Sequence, residues 1–255
     1  MSKYFTSIAF LFLCFLGFAQ DKPIDLKPKD SVVYKEAYGL RVGIDLSRPI
    51  ISFFEPEYTG FEIVGDYRIT HNLYLAAELG NENRDKQEDL YNFTTSGSYL
   101  KLGVDLNTYG NWYGEQNLIY IGGRIAYSNF SQTLNNNQIF DSNRYWNPNG
   151  FAEGSSEPRE YSGLSATWLE IVLGVKAELL ANIYLGGSVR LGAYITNDEP
   201  ENFSNLFIPG FNKVTDGSIF GIGYNFTLSY FIPLYKKAKT SQNKKEAPQP
   251  IKQEQ

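Results

Sequence analysis

The chain has 255 residues, 42% of them hydrophobic and 20% charged, with a net charge of −5. That length holds one barrel-sized domain with tails, and the acidic balance argues against nucleic acid as a partner. One cysteine, Cys14, rules out an internal disulfide framework and a thiolate metal site.

Met1 to Ala19 reads as a cleaved secretory signal: Lys3 gives the positive start, Ile8 to Phe18 the apolar core, and Gly17-Phe18-Ala19 a small-x-small cleavage site. Cys14 lies within that core behind Phe12 and Leu13, where a lipoprotein signal wants small residues, so the mature chain is expected to be cysteine-free. Residues 20–37 mix Lys, Asp and Pro without periodicity and read as a periplasmic lead-in. No later window approaches the roughly eighteen consecutive apolar residues of a transmembrane helix.

From Leu40 onward a period of two takes over. Leu40, Val42, Ile44 and Leu46 alternate with Arg41, Gly43, Asp45 and Ser47, and Arg48-Pro49 is expected to end this first strand. Phe61, Ile63, Gly65, Tyr67 and Ile69 alternate with Glu62, Val64, Asp66 and Arg68. After the turn Thr70-His71-Asn72, Leu73, Leu75, Ala77 and Leu79 oppose Tyr74, Ala76, Glu78 and Gly80. Asn81 to Thr95 reads as a polar loop. Leu100, Leu102, Val104 and Leu106 then face away from Tyr99, Lys101, Gly103 and Asp105, and after a connection at Asn107 to Gln116, Ile119 to Ser128 repeats the code with Tyr120 and Arg124 inward. Ser131 to Ser165 reads as a long Asn/Ser/Gly-rich loop.

Trp168 to Ile195 carries the clearest signal. Leu169, Ile171, Leu173, Val175, Ala177 and Leu179 alternate with Glu170, Gly174, Lys176 and Glu178; after the short turn Leu180-Ala181-Asn182, Ile183 to Ile195 puts Ser188, Arg190 and small residues on the same side as those charges. Thr196 to Gly217 is another long loop, and the last strand runs from Gly221 to Ile232, with Pro233 at its end. A closed soluble barrel needs an apolar interior, because an unpaired ion taken out of water costs several kcal/mol or more. Here the charged face also carries Gly174, Gly186, Ser188 and Gly192, which suit a narrow lumen, and the other face is an aliphatic band that wants lipid.

The expected fold is therefore all-β: an eight-stranded antiparallel up-and-down transmembrane β-barrel at residues 38–235, followed by a disordered basic periplasmic tail at 236–255. Connections are short after even strands and long after odd ones, as between periplasm and exterior. The Tyr (19), Phe (18) and Gly (23) content fits aromatic girdles and tight strand packing.

The runs Tyr38-Gly39-Leu40-Arg41-Val42-Gly43-Ile44-Asp45-Leu46-Ser47-Arg48-Pro49, Gly60 to Arg68 and Leu73 to Gly80, with Phe18-Ala19-Gln20 at the signal end, resemble a Bacteroidota outer-membrane β-barrel family, a domain of unknown function. More loosely the layout is similar to eight-stranded barrels of OmpA and OmpX type. The resemblance implies a fold and a compartment, the bacterial outer membrane of the cell envelope, and no activity.

Inward charges form the candidate site: Arg41, Asp45, Glu62, Asp66, Arg68, Glu78, Lys101, Asp105, Arg124, Glu170, Lys176, Glu178 and Arg190. An eight-stranded interior is just wide enough for side chains, so these groups are expected to form a plug of ion pairs, with a small pore or gated channel for ions or small solutes as the alternative. Tyr145, Trp146, Phe151, Phe203, Phe207 and Phe211 stand among polar loop residues, either as a contact surface for another envelope protein or folded back over the barrel mouth. No enzyme is expected: the one histidine, His71, lies in a turn, and Asp198, Glu199 and Glu201 lack a calcium-loop pattern. The expectation is a monomer without cofactor or metal, in outer-membrane lipid, with a structural or surface-interaction role; a soluble lipocalin-like carrier requires the aliphatic face to turn inward.

Overall fold

The computed structural model describes residues 35–87, 91–111, 115–137, 145, 155, 157–200, 204–213 and 218–238. The signal segment, most of the lead-in and most of the basic tail lie outside the described residues. The elements are β1 (Lys35–Asp45), α1 (Ser47–Phe54), β2 (Tyr58–Arg68), β3 (Leu73–Gln87), β4 (Tyr91–Asn107), β5 (Leu118–Asn137), β6 (Arg159–Leu180), β7 (Ile183–Asn197), β8 (Phe207–Ile208), β9 (Asn212–Lys213) and β10 (Phe220–Ala238).

Eight of these strands close into a ring in the order β1-β10-β7-β6-β5-β4-β3-β2, every pair antiparallel. β8 and β9 form a separate two-stranded sheet. The alternating code decides which side is which. Ile171, Leu173 and Val189 are each 57–58% exposed on the outside, whereas Glu170 and Arg190, one residue away, are 6% and 5% exposed. The barrel is thus inverted relative to a soluble one. Among the described residues no helix is long and apolar enough to cross a membrane, a test that does not address strands.

The strands outrun the sequence expectation. β3 continues to Gln87 and β4 starts at Tyr91, so most of the expected loop from Asn81 to Thr95 is a paired hairpin; β5 reaches Asn137 and β6 begins at Arg159. Composition hid this, because the outward residues there are Asn, Ser and Thr, which read as loop formers while still alternating with inward Glu82, Phe93, Phe130 and Gln132. β1 starts at Lys35, three residues inside the expected lead-in, and β10 runs past Pro233 to Ala238. Pro233 does not end that strand. It faces Gly39 at a register shift, where a missing N–H is tolerated. A Cβ on Gly39 would lie 2.0 Å from the Ile232 carbonyl oxygen, so only glycine fits that approach.

β1 also stops earlier than expected. The Asp45 carboxylate accepts the Ser47 N–H at 2.9 Å and the Ser47 hydroxyl at 2.6 Å, turning the chain into α1, where Pro49 sits harmlessly in the first turn. At the opposite end, β6 and β7 are joined by Ala181-Asn182, with Asn182 at φ 67°, a conformation asparagine tolerates.

Candidate functional site: the filled interior

Inward side chains stack in three levels, beginning at the short-turn end. Lys176 and Asp66 meet at 2.5 Å across the lumen, and Arg41 lies 3.6 Å from the same carboxylate. Arg41 is 1% exposed, its guanidinium 4.3 Å from the Tyr184 ring centre, with Tyr74 and Phe231 farther out. Aromatic faces thus replace part of the hydration that a buried cation loses. Nearer the turns, Arg68 reaches Glu36 at 2.7 Å and donates to the Ala37 and His71 carbonyls. His71 sits 2.7 Å from the same Glu36.

The middle level is the densest. Glu78 of β3 bridges two guanidiniums: it accepts from Arg124 Nε at 3.2 Å and from Arg190 through both of that residue's terminal nitrogens. Arg124 holds Asp105 at 2.7 Å, and Arg190 also lies 3.4 Å from Glu170. Glu170 accepts from Lys101 at 2.8 Å and from the Trp168 indole N–H at 2.7 Å. Five strands, β3 to β7, contribute to this one chain of contacts. Its geometry satisfies most lone pairs and protons of groups that would otherwise be costly to bury.

The third level lies under the long loops. Arg48 of α1 reaches Glu82 at 3.0 Å, Asp45 at 3.5 Å and Glu62 at 3.8 Å. The Tyr99 hydroxyl donates to Glu62, and the Asn225 amide donates to Glu62 at 2.8 Å and Asp45 at 2.9 Å. Above it the segment from Ser204 to Lys213 folds into the mouth. Lys101 donates to the Gly210 carbonyl at 2.9 Å, and the Gly210 N–H donates to Glu82 at 3.1 Å. Tyr99 is clamped between Gly80 and Gly210, where any Cβ would strike its ring; Gly210 also needs its φ of +83°. Phe211 lies on a floor of paired Gly192 and Gly221, edge-on to Trp168 and Tyr194. Beside it Tyr99, Ala126, Phe130, Leu164, Ala166 and Ile208 complete a buried cluster.

Twelve of the thirteen expected lumen charges are therefore gathered inside the ring. Glu178 departs from this: it is exposed at the short-turn mouth, where its carboxylate accepts the Asn182 N–H at 2.9 Å. Phe207 and Phe211 take the second of their two expected courses: at 3% and 4% exposed they are folded into the mouth and do not form a contact surface, because Tyr58 and Phe93 receive the first ring and Trp168, Gly192 and Gly221 the second. Tyr145 is exposed; Trp146, Phe151 and Phe203 lie outside the described residues. Arg48, expected to end a strand, and Glu82, expected in a loop, also belong to the interior; Glu82 extends the inward series Glu78, Gly80 by one more period. Among the described residues no group of three or more His, Cys, Asp or Glu side chains is placed to hold a metal ion.

Arg48→Ala strips from Glu82 the guanidinium paired with it and is expected to cost about 3–5 kcal/mol, the usual penalty for orphaning a buried charge. Urea titration of the folded protein in micelles reads this directly, and Arg48→Lys should recover only part of the loss, because a point charge cannot serve three carboxylates as a fork does.

A closed ring of eight strands, aliphatic outside and ionic inside, defines an up-and-down barrel with a filled interior. The chain belongs to the family described as Domain of unknown function (DUF6048), whose profile matches residues 1–237. Comparison with curated proteins finds no match. Among solved structures, the crystal structure of Ail, the attachment invasion locus protein of Yersinia pestis, is similar at 8% identity and a TM-score of 0.39, over 77% of this chain and 98% of that one.

Proposed function

We propose that the protein is an integral barrel of the bacterial outer membrane with a sealed lumen, and that its role is structural or one of surface interaction, carried by what it displays beyond the outer leaflet. One observation carries the reading: outward aliphatic side chains are half-exposed on every barrel strand, while the ionisable groups at the same height are buried inside. In water that arrangement would expose a continuous apolar belt far larger than a soluble monomer tolerates; in hydrocarbon it is the stable one.

The belt has a sharp edge. Outward residues change from Leu79, Leu100 and Tyr127 to Asn81, Ser98 and Asn129, which are paired with one another in a single row continuing to Ser165. Above that row β3 to β6 rise as two tall hairpins with Asn, Ser and Thr outside, and these, with the exposed Tyr145, are the surface available to another envelope protein. Transport fits poorly, since the middle charge level and the Phe211 ring close around a cavity of about 10 Å³ beside Arg190 and Gly210, roughly one water. No catalytic role is proposed: His71 stands at the short-turn end with Arg68 and Glu36, away from the long loops.

Cell fractionation with gel mobility tests the placement. The protein should leave with the outer membrane and migrate faster unheated than boiled; recovery in the soluble fraction would overturn the reading. In planar bilayers the protein should give no stepwise conductance, and regular channel steps would replace the sealed lumen by a pore.

A further inference from the structure

The barrel wall has a gap, and α1 fills it. β1 ends at Asp45, paired with Thr227, whereas β10 runs on to Phe220 and β2, whose last partner in β1 is Ile44 opposite Ile63, runs on to Tyr58. Beyond Asp45, then, no strand among the described residues lies between β2 and β10, and their backbone groups on that side need other partners. The turn and helix supply them. The Ser52 hydroxyl accepts the Gly60 N–H at 3.1 Å, the Asp45 carboxylate accepts the Phe226 N–H at 3.0 Å, and the Leu46 N–H donates to the Phe226 carbonyl at 2.6 Å.

The helix has two unlike faces. Ser47 and Arg48 are buried toward the lumen, and Ile51 packs on the Tyr58, Phe93 and Phe207 cluster. Ile50, Phe53 and Phe54, spaced i, i+3, i+4, form the other face and are 49%, 83% and 76% exposed. The flanking strands continue the same chemistry outward, with Phe61 and Ile63 on β2 and Phe220, Ile222, Tyr224 and Phe226 on β10 all exposed.

We propose that the Ile50-Phe53-Phe54 face is part of the membrane-facing wall and contacts acyl chains of the outer leaflet. Two physical facts point to lipid as the occupant. The face is continuous with the apolar belt on both sides of the gap. A helix is also the one element that can replace a strand beside hydrocarbon, because its backbone bonds are internal, and aromatic residues favour that depth near the interface. The inference rests on the outer-membrane reading above and extends it to a segment that the alternating strand code does not cover.

The test uses the chain from Gln20 onward, which contains no native cysteine, refolded into vesicles of phosphatidylethanolamine and phosphatidylglycerol, with folding checked by heat-shifted gel mobility. Spin labels are placed singly at Phe53→Cys and Ile50→Cys, at Leu191→Cys within the belt, and at Asn83→Cys above it. Collisions with oxygen, which partitions into lipid, and with a water-soluble nickel chelate are compared. Labels at both helix positions should match the Leu191 site, with an oxygen-to-nickel ratio several-fold above that of the Asn83 site. A lipid-like Leu191 site with water-like helix sites overturns this inference and leaves the membrane reading intact; a water-like Leu191 site overturns both.

Discussion

Glu78→Ala is expected to destabilise the barrel by about 3–5 kcal/mol, the penalty for leaving buried charge without its partner. Glu78 serves two guanidiniums from different strands, and its removal leaves Arg124 with Asp105 and Arg190 with a long contact to Glu170. Both cations stay buried, so the cost is that of uncompensated charge and not of one lost hydrogen bond. The measurement is a urea titration of the folded, heat-modifiable form in lipid vesicles. Glu178→Ala provides the contrast: that carboxylate is solvated at the mouth, and its loss should stay within about 0.5 kcal/mol. Combining Glu78→Ala with Arg190→Ala should cost less than the two separate losses added together, since the second change removes the charge that the first one orphaned. Strict additivity would mean that the pair is not coupled.

Phe211→Ala should release the loop at the mouth without unfolding the strands. A buried phenylalanine truncated to alanine costs about 3–5 kcal/mol, but the segment from Ser204 to Lys213 can undock on its own, so the loss appears as local opening. Chymotrypsin added to intact vesicles should then cut near Leu206 and Phe207 much faster than in the parent, while the heat shift persists. The wall side gives an independent version. A Cβ at Gly192 would lie 2.8 Å from the Phe211 ring, so Gly192→Val should eject the same ring and produce the same cleavage. Equal cleavage in parent and both variants would mean that Phe211 does not hold the loop.

These two expectations also explain why the lumen and the mouth are built differently. Charges deep in the ring can be satisfied only by other charges and dipoles, and they are spread over strands so that pairing ties distant sequence together: Glu78 with Arg190, Asp66 with Lys176, Lys101 with Glu170. The mouth is sealed by a short segment that brings its own backbone groups and one aromatic ring. Interior polarity thus falls off toward the long loops, where the Phe211 and Phe207 clusters take over.

The sequence by itself determined the inside and the outside. A period of two is a direct consequence of strand geometry, and from Leu40 to Ile232 it assigned Ile171 and Val189 to one face and Glu170 and Arg190 to the other, with short turns at Thr70-His71-Asn72 and Ala181-Asn182. Only the tertiary structure decided how far each strand runs, where the ring is interrupted, and what enters its mouth. Strand pairing continues as long as a neighbour supplies hydrogen bonds, whatever the composition, so Asn- and Ser-rich stretches became walls. α1 exists because Asp45 captures the Ser47 amide, Phe211 turns inward because glycines from β7 and β10 come together to make room for its ring, and Phe207 because Tyr58 and Phe93 meet it there. Periodicity is local and can be read along the chain; a cavity and the residue that fills it are not.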